Sequence, residues 1–265
     1  MPRKVKVGLI GCGTISKAYF DGCKRYDILE VVACADIDFA RAQEKAKEHG
    51  VRACTVDEIL ADPEIDILIN LTIPQAHAPV NERILKAGKH AYVEKPFGLD
   101  VKEARRVLAL AKRKNLLVGG APDTFLGGGI QTARQLLDDG IIGKTVAGTA
   151  FVMSHGHESW HPAPEFYYKP GGGPMFDMGP YYITALVNLL GPVKRVSGSA
   201  RASFPTRTIT SKPLAGKKVK VEVPTHYAGT MDFQSGAIIT IIMSFDLWGG
   251  PPLPCITLYG SEGTM

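Results

Sequence analysis

The chain has 265 residues, of which 45% are hydrophobic and 22% charged, which is the composition of ordinary globular domains. This length suffices for one large domain or two modest ones. The formal net charge of +5 is spread along the chain without a Lys/Arg-rich run, so we expect no nucleic-acid partner and no membrane partner. The N-terminal apolar stretch is too short and glycine-rich for a signal peptide or transmembrane helix. Five cysteines without a C-x-x-C pair indicate free thiols and a cytoplasmic location.

The first 122 residues alternate short apolar runs with helical patterns, which is typical of parallel strands joined by helices. Strands are predicted at Val5–Ile10, Val31–Ala35, Ile65–Thr72, His90–Glu94 and Leu116–Gly120. Helices are predicted at 14–25, 39–49 and 75–87. Two more begin after Thr55 and Asp100, each followed three residues later by Glu, as in a capping box. We therefore expect an α/β domain with a doubly wound parallel sheet.

The second half is richer in strands, and we place the domain boundary near Pro122. Strands are predicted at 146–154, 193–202, 217–223, 227–233, 237–245 and 255–259, and helices at 130–139 and 180–190. The tripeptide Gln234-Ser235-Gly236 is typical of a hairpin turn between two of these strands. Residues 123–265 are therefore expected to form an α+β domain.

A glycine loop follows the first strand, in the pattern Gly8-x-x-Gly11-x-Gly13-x-x-Ser16. Glycines let the backbone approach a pyrophosphate, and the following helix N-terminus offers free N–H groups and a partial positive charge. Asp36 ends the next strand at about the 20-residue offset expected for an acid that binds the adenosine ribose. The loop predicts NAD, with NADP less favoured because a carboxylate repels a 2′-phosphate. A glycine-rich turn without a ligand is the alternative.

The tripeptide Glu94-Lys95-Pro96 lies at the exit of the predicted strand His90–Glu94. Ligands of open parallel sheets bind at the carboxyl ends of the strands. Lys95 is therefore placed where it can act as an acid or base on a substrate hydroxyl, and Pro96 favours an extended conformation for it. On the tripeptide alone, a surface lysine in a turn is the competing interpretation.

Histidines cluster in the pattern His155-x-His157-Glu158-x-x-His161. Zinc can use three such ligands, but the spacing matches no standard site, so we expect no metal. The stretch is also rich in proline and aromatic residues. We interpret it as a loop that covers the pocket and contacts substrate through Trp160 and His161.

Four stretches together resemble the glucose-fructose oxidoreductase/inositol dehydrogenase (Gfo/Idh/MocA) family of nicotinamide-dependent sugar and polyol oxidoreductases. They are VGLIGCGTIS at 7–16, LTIPQAH at 71–77 with AGKHAYVEKPFGLD at 87–100, GGGPMFDMGPYY at 171–182, and YGSEGTM at 259–265. The resemblance implies an NAD(P)-binding Rossmann domain at 1–122 and a substrate and oligomerisation domain at 123–265 with an open, mostly antiparallel sheet. It also implies a homo-oligomer formed through that sheet. Family members usually continue past the last stretch, so we expect the chain to be shortened at its C-terminus.

The resemblance assigns roles to individual residues. The residues implied at the cofactor are Gly11, Cys12, Gly13, Thr14, Ile15, Asp36, Thr72, Pro74, His77, Glu94 and Lys95. The residues implied in catalysis are Lys95, Asp177 and Tyr181. Many members carry His four residues after the aspartate, where this chain has Tyr181, so whether Lys95 or Tyr181 delivers the proton stays open. From the residues alone, the favoured interpretation is that Asp177 is the N-cap of the helix containing Pro180 and that Tyr181 packs in the core.

The sequence therefore predicts a dehydrogenase or reductase that transfers hydride between NAD(H) and a sugar, polyol or related hydroxy or keto compound. Lys95 is expected to be the main acid/base. Two alternatives stay open: an NAD-dependent glycoside hydrolase, which acts by transient oxidation, and a non-enzymatic cofactor-sensing regulator on the same fold.

Overall fold

The computed structural model describes residues 3–248 and 253–265, which divide into one unit up to Ala121 and a second from Pro122. In the first unit, six parallel strands form one sheet in the order β3-β2-β1-β4-β5-β6. The strands are β1 Val5–Ile10, β2 Leu29–Ala35, β3 Arg52–Cys54, β4 Ile67–Asn70, β5 His90–Val93 and β6 Val118–Gly120. The helices are α1 Ser16–Cys23, α2 Phe39–His49, α3 Val56–Ala61, α4 Pro74–Lys86 and α5 Val101–Lys114.

Both faces of this sheet are covered, because alternate residues of a strand point to opposite sides. Leu9 lies in a core cluster with Phe20 of α1. The next residue, Ile10, lies in a second cluster with Ile59 of α3 and Ile84 of α4. The predicted doubly wound parallel sheet is confirmed.

Local capping signals place several helix ends. Thr55 accepts a hydrogen bond from the Glu58 N–H, and the Glu58 side chain accepts one from the Thr55 N–H, so the predicted capping box is present. Asp100 caps α5 by accepting from the Glu103 N–H at 2.8 Å. The Glu103 carboxylate, however, accepts from the Leu99 N–H, so only half of the second predicted box forms.

In the second unit, a five-stranded mixed sheet has the order β13-β7-β12-β11-β8. Its strands are β7 Thr145–Met153, β8 Val193–Arg201, β11 His226–Phe233, β12 Ile238–Ser244 and β13 Ile256–Gly260, and β9 Thr206–Thr208 with β10 Lys218–Lys220 forms a separate ribbon. The pairing of β12 with β7 is parallel and the others are antiparallel. The helices are α6 Gly128–Asp138, α7 Gly173–Asp177 and α8 Gly179–Leu190. The expected mostly antiparallel sheet is confirmed.

Helix α8 covers one face of this sheet, since Leu186 and Leu189 pack in one cluster with Ile239 and Met243 of β12. The predicted hairpin at Gln234–Gly236 joins β11 to β12. Three elements were absent from the sequence prediction, namely β3, β9 and α7. All five cysteines are free, and four of them are buried. In the described part of the chain no helix is both long and apolar enough to cross a membrane.

Candidate functional site

The glycine loop between β1 and α1 is packed against the end of β4. Gly11 has φ +105°, and a Cβ there would lie 2.6 Å from the Leu71 main chain, so only glycine allows this approach. At Gly13 a Cβ would meet no described atom within 4 Å. Buried Ser16 donates through Oγ to the Gly13 carbonyl at 2.7 Å. Ser16 therefore holds the loop in place.

The N-terminus of α1 follows this loop, with Ile15 at the N-cap. No side chain caps it and its first turn holds no acidic residue, so the terminal N–H groups and the helix dipole remain suited to an anion. The Cys12 N–H is not one of these free groups, because it donates to Asp36 Oδ2 at 2.8 Å, and the Cys12 thiol donates to the Ala35 carbonyl. Cys12 therefore links the glycine loop to the end of β2.

Asp36 lies at the end of β2 and is only 8% exposed. Its Oδ1 accepts from the Asp38 N–H at 2.9 Å. Arg41 places one guanidinium nitrogen 3.9 Å from Asp36 and another 3.7 Å from Asp38. Ile37, between the two acids, is 99% exposed. An exposed apolar side chain next to a carboxylate suits an adenosine. The open glycine loop and the uncapped helix lie nearby, so the arrangement fits the adenosine half of a dinucleotide.

A buried polar network lies at the carboxyl end of β4. Asn70 donates to the Asn81 side chain at 2.9 Å and to the His77 carbonyl at 3.0 Å, and it accepts from the Thr72 hydroxyl at 2.7 Å. The His77 ring nitrogens face the carbonyls of Pro96 at 2.6 Å and Thr72 at 2.9 Å. His77 is 1% exposed, so the structure places it behind the Thr72 and Pro96 segments.

Glu94 and Lys95 follow β5. The Glu94 carboxylate accepts from the Tyr19 hydroxyl at 2.7 Å and from the Lys95 N–H at 2.9 Å. The carboxylate thus orients the main chain at Lys95, while the His77 ring contacts the carbonyl of the next residue, Pro96. Sequence reasoning missed Tyr19, Asn70 and Asn81. The signal available for the two asparagines was a polar residue inside an apolar strand and another on an apolar helix face.

Asp177 is the last residue of α7, and α8 begins at Gly179 with Met178 at its N-cap position. The interpretation of Asp177 as the N-cap of the helix containing Pro180 is therefore wrong. Pro180 lies in the first turn of α8, a position at which proline is favoured. The aspartate is left to interact through its side chain with other parts of the second unit.

Two aromatic side chains, His157 and Tyr167, interact with this carboxylate. His157 Nε2 lies 3.4 Å from Asp177 Oδ2, and the His157 ring stacks on Tyr167 with centroids 3.8 Å apart. Burial, and then the charges of Asp177 and Tyr181, raise the pKa of Tyr167 above its usual value. We call His157, Tyr167, Asp177 and Tyr181 the carboxylate cluster. Sequence reasoning weighed His157 as a metal ligand, rejected that role and placed it in a loop over the pocket, without a link to Asp177.

The other members of the histidine stretch have different partners. His155 stacks on Trp248, and Glu158 pairs with Arg207 in the interior. Within residues 3–248 and 253–265, no three His, Cys, Asp or Glu side chains converge on a metal position. Burial is the first cause that lowers the pKa of His161, followed by the charge of His157. Trp160 is 62% exposed.

Both units match known families. Residues 5–120 match the oxidoreductase family with an NAD-binding Rossmann fold, and residues 130–265 match the GFO/IDH/MocA C-terminal domain. The chain is 26% identical over 203 residues to the D-xylose dehydrogenase of Paenarthrobacter nicotinovorans, covering 74% of this chain and 51% of that protein. It is 32% identical over 142 residues to the inositol 2-dehydrogenase of Rhizobium meliloti (strain 1021), covering 53% of this chain and 42% of that protein.

The fold is also that of solved structures. The WlbA dehydrogenase of Bordetella pertussis superposes with a TM-score of 0.85 at 22% identity, covering 100% of this chain and 73% of the other. The chain spans about half the length of the curated relatives it matches. Since the two family matches together extend from residue 5 to residue 265, the chain belongs to the Gfo/Idh/MocA family of oxidoreductases.

Proposed function

We propose that this chain binds NAD(H) and oxidises or reduces a CH–OH group of a sugar, a polyol or a related hydroxy or keto compound. The observation that carries the proposal is the arrangement at one edge of the parallel sheet. Strands β1, β4 and β5 are adjacent, and they are followed by the glycine loop, Thr72 and Glu94-Lys95 in turn. Neighbouring strands lie about 4.8 Å apart, so a dinucleotide along this edge would pass all three segments.

The first unit would hold the cofactor. The N–H groups near Gly13, Thr14 and Ile15 would bind the pyrophosphate, and Asp36 would accept from the adenosine ribose. The exposed side chain of Ile37 would pack on the adenine. We favour NAD over NADP because a 2′-phosphate would meet the Asp36 carboxylate. The WlbA structure, which shares the fold, contains NADH.

Thr72, Pro74 and Glu94 complete the proposed cofactor channel. His77 would act indirectly, since its two ring nitrogens are occupied by main-chain carbonyls. The bound nicotinamide would supply the hydride donor or acceptor. Lys95 would transfer the proton of the substrate hydroxyl, and its main chain is already oriented by Glu94.

The second unit would contribute the groups that bind the substrate. Tyr181 would donate a hydrogen bond to the reacting oxygen, and Asp177 would accept from a hydroxyl. Trp160 and His161 would contact the carbon skeleton. The family relatives include a D-xylose dehydrogenase and an inositol 2-dehydrogenase, which is why we propose a sugar or polyol. A homo-oligomer through the five-stranded sheet is part of the proposal, because β8 is exposed along nearly its whole length.

The test is the appearance of NADH absorbance when the full chain is mixed with NAD+ and a panel that includes D-xylose and myo-inositol. We expect at least one member to produce NADH, and Lys95→Ala to abolish most of that rate. Aryl glycosides are assayed in parallel with NAD+. Release of the aryl group without net NADH, or tight NAD binding with no reaction in either assay, would contradict the proposed oxidoreductase activity.

A further inference from the structure

His157 reaches Asp177 from a segment outside the two helices that flank the carboxylate. The two side chains face each other at 3.4 Å and are each 12% exposed. We propose that His157 is the positioning residue of the Asp177 carboxylate, holding it in the orientation in which it receives a substrate hydroxyl. This inference rests on the function proposed above and adds a residue to it.

Packing holds the His157 imidazole in an orientation in which its Nε2 faces Asp177. Tyr167 stacks on its face at 3.8 Å with an interplanar angle of 13°, and Phe245 meets it edge-on at 4.6 Å. Its Nδ1 is buried without a hydrogen-bond partner among the described residues. A proton on Nδ1 would thus find no acceptor, whereas a proton on Nε2 faces the Asp177 carboxylate. The surroundings therefore favour the Nε2–H tautomer, which donates toward Asp177.

The main chain around His157 is held by a buried guanidinium. Arg207 pairs with the Glu158 carboxylate and with Asp246 at 2.9 Å, and it also donates to the His155 carbonyl. The residues on both sides of His157 are thus tied to one side chain, and charge-assisted hydrogen bonds of this kind are the strong ones. This arrangement makes the position of the imidazole a fixed feature of the second unit.

Gly156, directly before His157, has φ +85°, and a Cβ there would lie 2.3 Å from the Glu158 carboxylate. Only glycine fits this turn. The turn sends Glu158 into the interior toward Arg207 and leaves His157 against Tyr167 and Asp177. The local backbone and the buried ion pair thus act together on one side chain.

The competing explanation is that His157 serves only as an aromatic ring packed on Tyr167. Two substitutions separate the two roles, because each keeps one property of the imidazole. His157→Phe keeps a ring for stacking and removes the N–H. His157→Gln loses the stacking but retains an N–H donor at about the distance of Nε2.

The kinetic experiment uses the full chain, NAD+ and whichever of D-xylose or myo-inositol reacts faster. We expect His157→Phe to lower kcat by about tenfold to a hundredfold, the scale of misplacing a reacting group by up to an ångström. The melting temperature should fall by a small, measurable amount, because the Asp177 carboxylate loses a donor, and the KM for NAD+ should stay nearly unchanged. We expect His157→Gln to melt lower but retain a higher kcat than His157→Phe. The opposite order of kcat values would overturn the positioning role.

His155→Phe is the matched control, since His155 lies two residues earlier and also stacks on an aromatic ring, that of Trp248. It should leave kcat unchanged. A loss of kcat equal to that of His157→Phe would show a general disturbance of the loop and would overturn the inference.

An unfolding experiment separates failure of this inference from failure of the proposed function. Urea midpoints are measured for His157→Phe, Asp177→Asn and the double variant. If the imidazole and the carboxylate interact, the midpoint shift of the double variant is smaller than the sum of the single shifts. Additive shifts would overturn the inference whether or not the chain oxidises any sugar, whereas a wild type inactive on the whole panel with non-additive shifts would contradict only the proposed function.

Discussion

The Asp36 carboxylate accepts a hydrogen bond from the Cys12 N–H at 2.8 Å, so the acid that ends β2 directly supports the glycine loop. The residue proposed to bind the ribose is therefore also a structural part of the pyrophosphate site. Its second oxygen accepts from the Asp38 N–H, which ties the loop to the start of α2. Substitutions of Asp36 should consequently affect both the affinity for NAD(H) and the order of the glycine loop.

Asp36→Ala should weaken NADH binding and reduce the preference for NADH over NADPH. The substitution removes both the ribose acceptor and the charge that repels a 2′-phosphate. It should also lower the melting temperature, since the buried Cys12 N–H loses its acceptor. Fluorescence titrations with NADH and NADPH measure the preference. Tighter binding of NADPH than of NADH by the wild type would contradict the assignment.

Lys95→Ala should lower turnover by roughly 10²-fold or more, the scale of general acid/base catalysis, with a modest change in stability. Steady-state rates with the best panel substrate measure the effect. Lys102→Ala is the control, because Lys102 is an exposed lysine on α5 and should leave the rate unchanged. Near-normal turnover of the Lys95→Ala variant would mean that Lys95 is a surface lysine in a turn and not the acid/base.

His77→Phe should destabilise the first unit while retaining the ring volume. The carbonyl of Thr72 or of Pro96 that accepts the imidazole N–H would lose its donor, at a cost of about 1–3 kcal/mol for the group left unsatisfied. Turnover should fall as well, because the Pro96 carbonyl adjoins Lys95. Urea unfolding and steady-state kinetics are the measurements. Unchanged stability would mean that His77 does not hold these segments together.

Tyr181→Phe keeps the ring and its packing but deletes the hydroxyl. If that hydroxyl binds the reacting oxygen, turnover should fall roughly three- to tenfold or more, corresponding to a hydrogen bond worth about 1 kcal/mol. NAD affinity and melting temperature should remain nearly intact. A Tyr181→Phe variant with normal turnover would identify Tyr181 as a packing residue.

Asp177→Asn tests the role of the Asp177 carboxylate, which is proposed to act together with Tyr181. Asn retains the shape of the side chain but not its charge, so turnover should fall while the fold persists. The KM for the sugar should rise more than the KM for NAD+, since Asp177 is proposed to bind the substrate. Full activity in both Asp177→Asn and Tyr181→Phe would remove the pair from the proposed active site.

The sequence by itself determined the features that depend only on residues close to one another along the chain. The capping box of Thr55 and Glu58, the glycine loop at Gly11 and the hairpin at Gly236 follow from short-range hydrogen bonding and backbone sterics. Alternation of apolar strands and helices then predicted the parallel sheet, because only that arrangement buries both faces of such strands.

The tertiary structure decided which distant side chains meet. It joined Asn70 to Asn81 beneath the proposed cofactor edge and His157 to Asp177 in the second unit. Pro180 signalled that a helix starts nearby, but only the structure showed that Met178, and not Asp177, precedes its first residue. Such contacts depend on how whole elements pack and on which buried polar groups find partners, and that information is spread over the chain and not contained in any one segment.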